Sequence, residues 1–195
     1  MPSLGVVQYV AFLRAINVGG HVVKMDRLRT IFEAMRLRNV ETFIASGNVI
    51  FEAAGDPSGL ERRIEKGLAA ALGYDVEVFL RTFDELSAVA AHQPFVGALD
   101  GCTLFVVFLK EAPGAAARGQ YGALPLADDG LHINKREVYW LRRGSMTDSP
   151  VAVPLGKVVG KTGTMRNVTT VRKLLAKYGS EVRNAGRATK ARRPK

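Results

Sequence analysis

The first half of the chain alternates short apolar runs with amphipathic stretches in an order that few folds accommodate. Apolar β-type runs are predicted over about 6–15, over 40–52 as two strands parted at Ser46-Gly47-Asn48, and over 74–81. Helices are predicted over about 25–37 and 56–72, because apolar residues recur there at helical spacing. The resulting order β-α-β-β-α-β is ferredoxin-like, an antiparallel sheet with helices on one face. The sequence therefore predicts an α+β fold.

Local signals mark the ends of two helices. Asp56 is a predicted N-cap before Pro57 at the first helical position, and Gly73 is the predicted stop of the same helix. Thr82 and Glu85 have the spacing of a capping box for a further short helix through about residue 91.

The second half begins like the first and is interpreted as a degenerate copy of it. Phe-Leu-Lys at 108–110 ends an apolar run, as Phe-Leu-Arg does at 12–14. A short helix is predicted at about 113–121, a strand pair over 131–142, a glycine-rich connection over 155–164, and a last helix over 166–178 that Gly179 ends. The predicted organisation is a ferredoxin-like subdomain over 1–100, a second α+β subdomain over 101–182 that ends in this helix, and a basic tail over 183–195.

The positive charge of the chain is concentrated at its C-terminus. The formal net charge is +10, yet residues 1–156 carry a net charge of −1 and residues 157–195 a net charge of +11. A segment with many unopposed cations and little apolar content is typical of disorder, or of order only on a partner. The candidate contacts to nucleic-acid phosphates are Arg183, Arg187, Lys190, Arg192, Arg193 and Lys195. The alternative is a solvated tail.

Composition also indicates the class of protein. No apolar run reaches the length of a membrane span, and no secretory signal is visible at the N-terminus. The single cysteine, Cys102, cannot form an internal disulfide, which fits a reducing compartment. We therefore expect a cytoplasmic protein without membrane partners.

Several familiar reaction centres do not fit the sequence. The three histidines, His21, His92 and His132, lie in different segments without metal-ligand spacing, so no metal and no cofactor are predicted. The run from Gly156 to Thr162 is one residue too short for a phosphate loop. Ser46 does not lie in a nucleophile elbow.

Anion recognition is the better hypothesis. Arg14, Asn17, Gly19, Gly20 and Lys24 follow the first strand, where backbone N–H groups and cations suit a phosphate or carboxylate. The other candidates are Thr164, a predicted N-cap, with Arg166 and Asn167 at the start of the last helix, and Ser46 and Asn48 in the turn between the second and third strands. The alternative is that Arg14 and Asn17 cap the sheet structurally and that Ser46 and Asn48 satisfy turn backbone groups.

Three stretches of the sequence resemble one known family. They are Y-V-A-F-L-R-A-I-N-V-G-G at 9–20, V-E-T-F-I-A-S-G-N-V-I-F at 40–51 and T-M-R-N-V-T-T-V-R-K-L at 164–174. Together they resemble the bacterial domain of unknown function 1697, over about residues 7–178. The resemblance implies an α+β fold with two related subdomains, and no activity.

Matched position by position, the resemblance assigns the family's recurrent motif residues to Arg14, Asn17, Val18, Gly19, Gly20, Lys24, Ser46, Gly47, Asn48, Arg166, Asn167 and Thr170. The chain departs from the family in its second half. It has Val168 where relatives have an aromatic residue, and Ser149-Pro150 where relatives have Ser-Lys.

Three functions follow as hypotheses. The first is a binding protein for an anionic, phosphate-bearing ligand at the turn after the first strand. The second is a small enzyme acting on such an anion, with Arg14, Lys24 and Arg166 stabilising charge and no base assigned. The third is a nucleic-acid accessory protein that uses the basic tail.

Overall fold

The protein contains two compact units, each built on its own β-sheet. The structure, a computed structural model, describes residues 6–17, 22–44, 47–97, 100–145 and 149–190, and for residues 160, 161 and 180–190 it describes the backbone alone. Unit 1 comprises Met1–Ser87 and Lys173–Lys195, and unit 2 comprises Ala88–Arg172. The division predicted at residues 100 and 182 stays a prediction about independently folding parts.

Unit 1 has the predicted ferredoxin-like order. Its antiparallel sheet has the strand order β2-β3-β1-β4. The elements of the first half are β1 (Val7–Arg14), α1 (Met25–Ala34), β2 (Arg38–Thr42), β3 (Asn48–Ala53), α2 (Pro57–Leu72), β4 (Glu77–Thr82) and α3 (Phe83–Ala91).

The central strand β1 explains why its sequence is apolar throughout. Tyr9, Ala11 and Leu13 belong to a core cluster that also contains residues of α1 and α2. The alternate residues Val10 and Phe12 are fully buried as well. A strand buried on both faces carries a continuous apolar run instead of an alternating one.

The predicted helix signals are confirmed. The Asp56 carboxylate accepts a hydrogen bond from the Gly59 N–H at 2.7 Å, and α2 begins at Pro57. Gly73 ends this helix in the left-handed conformation at φ +81°. The Thr82 N–H donates to Glu85 at 2.8 Å, and the Glu85 N–H donates back to the Thr82 hydroxyl at 3.2 Å, which is a complete capping box.

Side chains from α2 accept hydrogen bonds along the free edge of the outer strand β4. The Val78 N–H donates to the Glu65 carboxylate at 3.0 Å, and the Leu80 N–H donates to the Glu61 carboxylate at 2.8 Å. Both N–H groups would otherwise lie unpaired at an edge of the sheet, where another strand can add. The two glutamates therefore satisfy the edge and protect it.

Unit 2 has the same order of elements and the same strand order, β6-β7-β5-β8. The two subdomains are therefore similar, as predicted, and their origin by duplication stays a prediction. The remaining elements of the chain are β5 (Cys102–Leu109), α4 (Ala115–Gly122), β6 (Gly130–Asn134), β7 (Glu137–Arg143), α5 (Ala152–Thr162), β8 (Gly163–Asn167) and α6 (Val168–Lys190).

The glycine-rich connection expected over 155–164 is wrong, because this stretch forms α5 and the start of β8. Val151, Leu155 and Val159 recur every four residues and are buried against the sheet of unit 2. Gly163 allows β8 to approach β5, since a Cβ there would lie 2.7 Å from the Phe108 carbonyl oxygen.

Both predicted ends of the last helix are also wrong. Thr164 lies within β8, opposite Phe108, and the cap is Asn167, whose Oδ1 accepts from the Thr169 N–H at 2.8 Å. The helix continues past Gly179, with a helical backbone through Lys190. Residues 191–195 lie outside the described part of the chain. Among the residues that the structure describes, no helix is both long and apolar enough to cross a membrane.

Candidate functional site

Arg14 stands at the end of β1 and is matched by a carboxylate. It lies opposite Glu77 of β4 in the strand register, and the two side chains form an ion pair. The pair is partly exposed, with 26% of the Arg14 side chain and 36% of the Glu77 side chain accessible. Burial lowers the pKa of the Arg14 guanidinium from its ordinary value.

Residues 14–24, which lead from the end of β1 to α1, are called the strand-one turn, and a hydrogen bond to Asn17 holds its two ends together. The Asn17 Oδ1 accepts a hydrogen bond from the Val23 N–H at 2.9 Å. Lys24 is exposed at the N-cap position of α1, where its carbonyl accepts from the Leu28 N–H at 3.0 Å and its side chain makes no cap. Gly19 and Gly20 lie outside the described residues. Asn17 therefore serves the backbone of the turn, and Lys24 presents a cation beside it.

The loop between β2 and β3 packs against the end of β1. Asn48 is fully buried, and its amide donates to the Phe43 carbonyl at 3.0 Å. Gly47, at φ +69°, accepts a hydrogen bond from the Leu13 N–H at 2.8 Å, and a Cβ on it would lie 2.6 Å from Cγ2 of Ile16. These contacts give Gly47 and Asn48 a structural role. Ser46 lies outside the described residues.

The second predicted group lies in unit 2. Arg166 donates to the Thr164 hydroxyl at 2.8 Å and to the Met165 carbonyl at 2.9 Å, and Asn167 caps α6. Burial lowers the pKa of the Arg166 guanidinium to about 10, so this side chain is still a cation at neutral pH. Arg14, Asn17 and Lys24 belong to unit 1, whereas Thr164, Arg166 and Asn167 belong to unit 2.

Unit 1 also contains an acidic cavity that the sequence did not predict. Its volume is about 450 Å³, and it is lined by Gln8, Glu33, Asn39, Val40, Glu41, Ile50 and Glu52. Glu41 additionally accepts a hydrogen bond from the Tyr178 hydroxyl of α6 at 2.9 Å. Three carboxylates make this cavity unsuitable for an anion. The glutamates were visible in the strand sequences, but their convergence depends on strand pairing.

Two histidines that the sequence placed in separate segments are neighbours in unit 2. The ring centroids of His92 and His132 are 5.2 Å apart, and the His92 centroid lies 4.9 Å from that of Tyr139. Among the described residues, no group of three or more His, Cys, Asp or Glu side chains could hold a metal ion.

The nucleic-acid candidates extend a basic helix. Arg172, Lys173 and Lys177 of α6 are exposed, whereas Leu174 and Tyr178 are buried. The helical backbone then continues through Arg183, Arg187 and Lys190. Arg192, Arg193 and Lys195 lie outside the described residues.

Comparisons with known proteins agree with this fold. A model of the family described as "Protein of unknown function (DUF1697)" matches residues 6–139. A solved structure, described as that of the conserved bacterial protein SP0830 from Streptococcus pneumoniae, superimposes with a TM-score of 0.74 at 24% identity, covering 87% of this chain and 97% of that one. This likeness concerns the fold alone. No curated protein matches the sequence significantly.

Proposed function

The chain belongs to the DUF1697 family of proteins of unknown function, and we propose that it binds a phosphate-bearing anionic ligand at its strand-one turn. The observation that carries this proposal is that the Arg14 guanidinium, although paired with Glu77, stays partly exposed at the end of β1. The pair holds a guanidinium at the end of a rigid, buried strand, next to a turn that Asn17 closes.

The pair is of a kind that a stronger anion can displace. A partly exposed ion pair contributes only about 0–1 kcal/mol, because solvent screens it and ordering the side chains costs entropy. A phosphate monoester carries about −1.5 to −2 charges at pH 7 and offers three oxygens to the planar fork of an arginine. The ligand would therefore replace one carboxylate with a better partner for Arg14.

Other residues of unit 1 take two roles in this proposal. Lys24, exposed beside the turn, supplies a second cation. The N–H groups of Gly19 and Gly20 are proposed to contact phosphate oxygens, since successive backbone N–H groups form anion sites. Asn17, Gly47 and Asn48 hold the turn and the neighbouring loop in place.

The proposal is tested by titrating the full chain with inorganic phosphate and pyrophosphate in a calorimeter. We expect Arg14→Gln to weaken binding roughly tenfold or more, since a hydrogen bond to a charged group is worth about 1.5–3 kcal/mol. Lys24→Gln should weaken binding by less. The matched control is Arg38→Gln, an exposed arginine at the start of β2, beside Glu52 at the other end of the sheet from Arg14. Equal affinities for Arg14→Gln and Arg38→Gln would refute the proposal.

Helix α6 favours a second candidate function, nucleic-acid binding. A helical backbone through Lys190 continues the exposed basic residues of α6 into the basic segment, and one helix can present several cations to a phosphate backbone. A chain ending at residue 182 should bind single-stranded DNA more weakly and with a smaller dependence on salt. The same truncation should leave phosphate binding at the strand-one turn unchanged. An unchanged salt dependence would refute this second candidate.

A further inference from the structure

A short segment of unit 2, residues 89–95, packs against the strands β6 and β7. The Tyr139 hydroxyl of β7 donates to the Val89 carbonyl at 3.4 Å. Further along, a Cβ added to Gly130 of β6 would lie 2.5 Å from the Phe95 ring, so the ring rests directly on this glycine. His92 lies between these two contacts along the segment. The contacts therefore fix the backbone on both sides of His92.

The histidine pair, His92 and His132, is held by this packing. His132 lies opposite Tyr139 in the register of β6 and β7, and both rings contact the ring of His92. The His92 and His132 rings are tilted by 39° with their centroids 5.2 Å apart. Because the strand register holds one imidazole and the packed segment holds the other, the pair is positioned without a ligand.

The spacing of the pair suits two imidazoles on one metal ion. A bond of about 2.0–2.1 Å from zinc to nitrogen places the ion about 3.2 Å from an imidazole centroid. Two such imidazoles at a tetrahedral angle have centroids about 5.2 Å apart. The separation of the two ring centroids in the protein is 5.2 Å, which equals this distance.

The His92 imidazole also has an unused nitrogen. Its Nε2 is buried and has no hydrogen-bond partner among the described residues. A buried polar atom of this kind is normally satisfied by a partner, which can be an ion. Imidazole nitrogen is a favoured ligand of zinc, copper and nickel, whereas magnesium and calcium prefer oxygen.

We propose that His92 and His132 form a binding site for a divalent transition-metal ion of the zinc, nickel or copper class. The two imidazoles supply two ligands, and water or an exchangeable molecule completes the coordination. The site is independent of the proposed phosphate site, because it lies in unit 2 and uses no residue of the strand-one turn.

The test uses the untagged full chain and Zn²⁺, with Mg²⁺ as the control cation. We expect one Zn²⁺ to bind per chain and no saturable binding of Mg²⁺. His92→Gln and His132→Gln should each weaken Zn²⁺ binding at least tenfold. The chain has three histidines, so His21→Gln is the matched control and should bind as the wild type does. Affinity should also fall from pH 7.5 to pH 5.5, because imidazole binds metals in its neutral form.

A second measurement needs no variant. In the wild-type chain loaded with Cu²⁺, electron paramagnetic resonance should show coupling to two imidazole nitrogens. Absence of saturable Zn²⁺ binding, unchanged binding in both His92→Gln and His132→Gln, or coupling to fewer than two nitrogens would overturn the proposal.

Discussion

Replacing Gly47 by alanine should destabilise unit 1 far more than the loss of one glycine usually does. Gly47 has a left-handed backbone at φ +69°, which costs an L-residue about 1–2 kcal/mol. The new Cβ would also lie 2.6 Å from Cγ2 of Ile16 and 3.2 Å from Cβ of Leu13. Overpacking of this kind costs about 1–3 kcal/mol. We therefore expect Gly47→Ala to lower the free energy of unfolding by about 2–5 kcal/mol.

Gly73→Ala is the matched control. Gly73 also lies in unit 1 and has a left-handed backbone, at φ +81°, but a Cβ there would meet no atom within 4 Å. Gly73→Ala should therefore lower the free energy of unfolding only by the cost of the left-handed backbone, about 1–2 kcal/mol. Urea unfolding followed by far-ultraviolet circular dichroism measures both variants.

A double-mutant cycle isolates the contact itself. Ile16→Leu removes the branch methyl that meets the new Cβ and keeps the side-chain volume, so Gly47→Ala should cost less in that background. If Gly47→Ala costs no more than Gly73→Ala, the close approach of the loop to the end of β1 is refuted.

Three further outcomes are expected. Hydrogen bonds from Ser58 and Gly59 lower the pKa of the Asp56 carboxyl. The contribution of this carboxylate to stability is therefore present at neutral pH and is lost as the pH falls below the ordinary aspartate range. Asp56→Asn should remove that part of the pH dependence of acid unfolding. Glu61→Ala should lower the free energy of unfolding by about 1–3 kcal/mol, because it leaves the Leu80 N–H unsatisfied, and urea unfolding would contradict this with a loss below about 0.5 kcal/mol. Gly130→Ala should displace the Phe95 ring and weaken Zn²⁺ binding without removing a ligand, and unchanged Zn²⁺ affinity would contradict that coupling.

Features encoded locally could be predicted from the sequence. Asp56 with Pro57 and the Thr82–Glu85 pair mark helix starts, because a cap involves residues only three apart. The order of apolar runs then predicts the fold of unit 1. In unit 2 the four-residue spacing of Val151, Leu155 and Val159 is present, but the glycines of the run 155–164 favour a loop on composition alone. Burial of these three residues in the core outweighs the weak helix propensity of the glycines.

Features that depend on pairing between distant segments could not be predicted. Glu77 faces Arg14 because β1 and β4 pair in one particular register, and no spacing in the sequence indicates that register. His92 meets His132 through the packing of a segment across β6 and β7. Gly179 is a predicted helix stop, yet the helix continues through it, because Gly179 does not adopt the left-handed conformation that commonly ends a helix.

The most direct test of the strand-one turn as an anion site is the affinity of Glu77→Gln for pyrophosphate. The substitution removes the carboxylate that competes for Arg14 while keeping its shape. We expect binding to become roughly two- to fivefold tighter, since the pair is worth about 0–1 kcal/mol and a like charge is also removed. The Glu52→Gln control, which removes a carboxylate opposite Gln8 at the other end of β1, should leave the affinity unchanged. If Glu77→Gln binds pyrophosphate no more tightly than the wild type, the Arg14 pair is a structural tie and the proposed site is wrong.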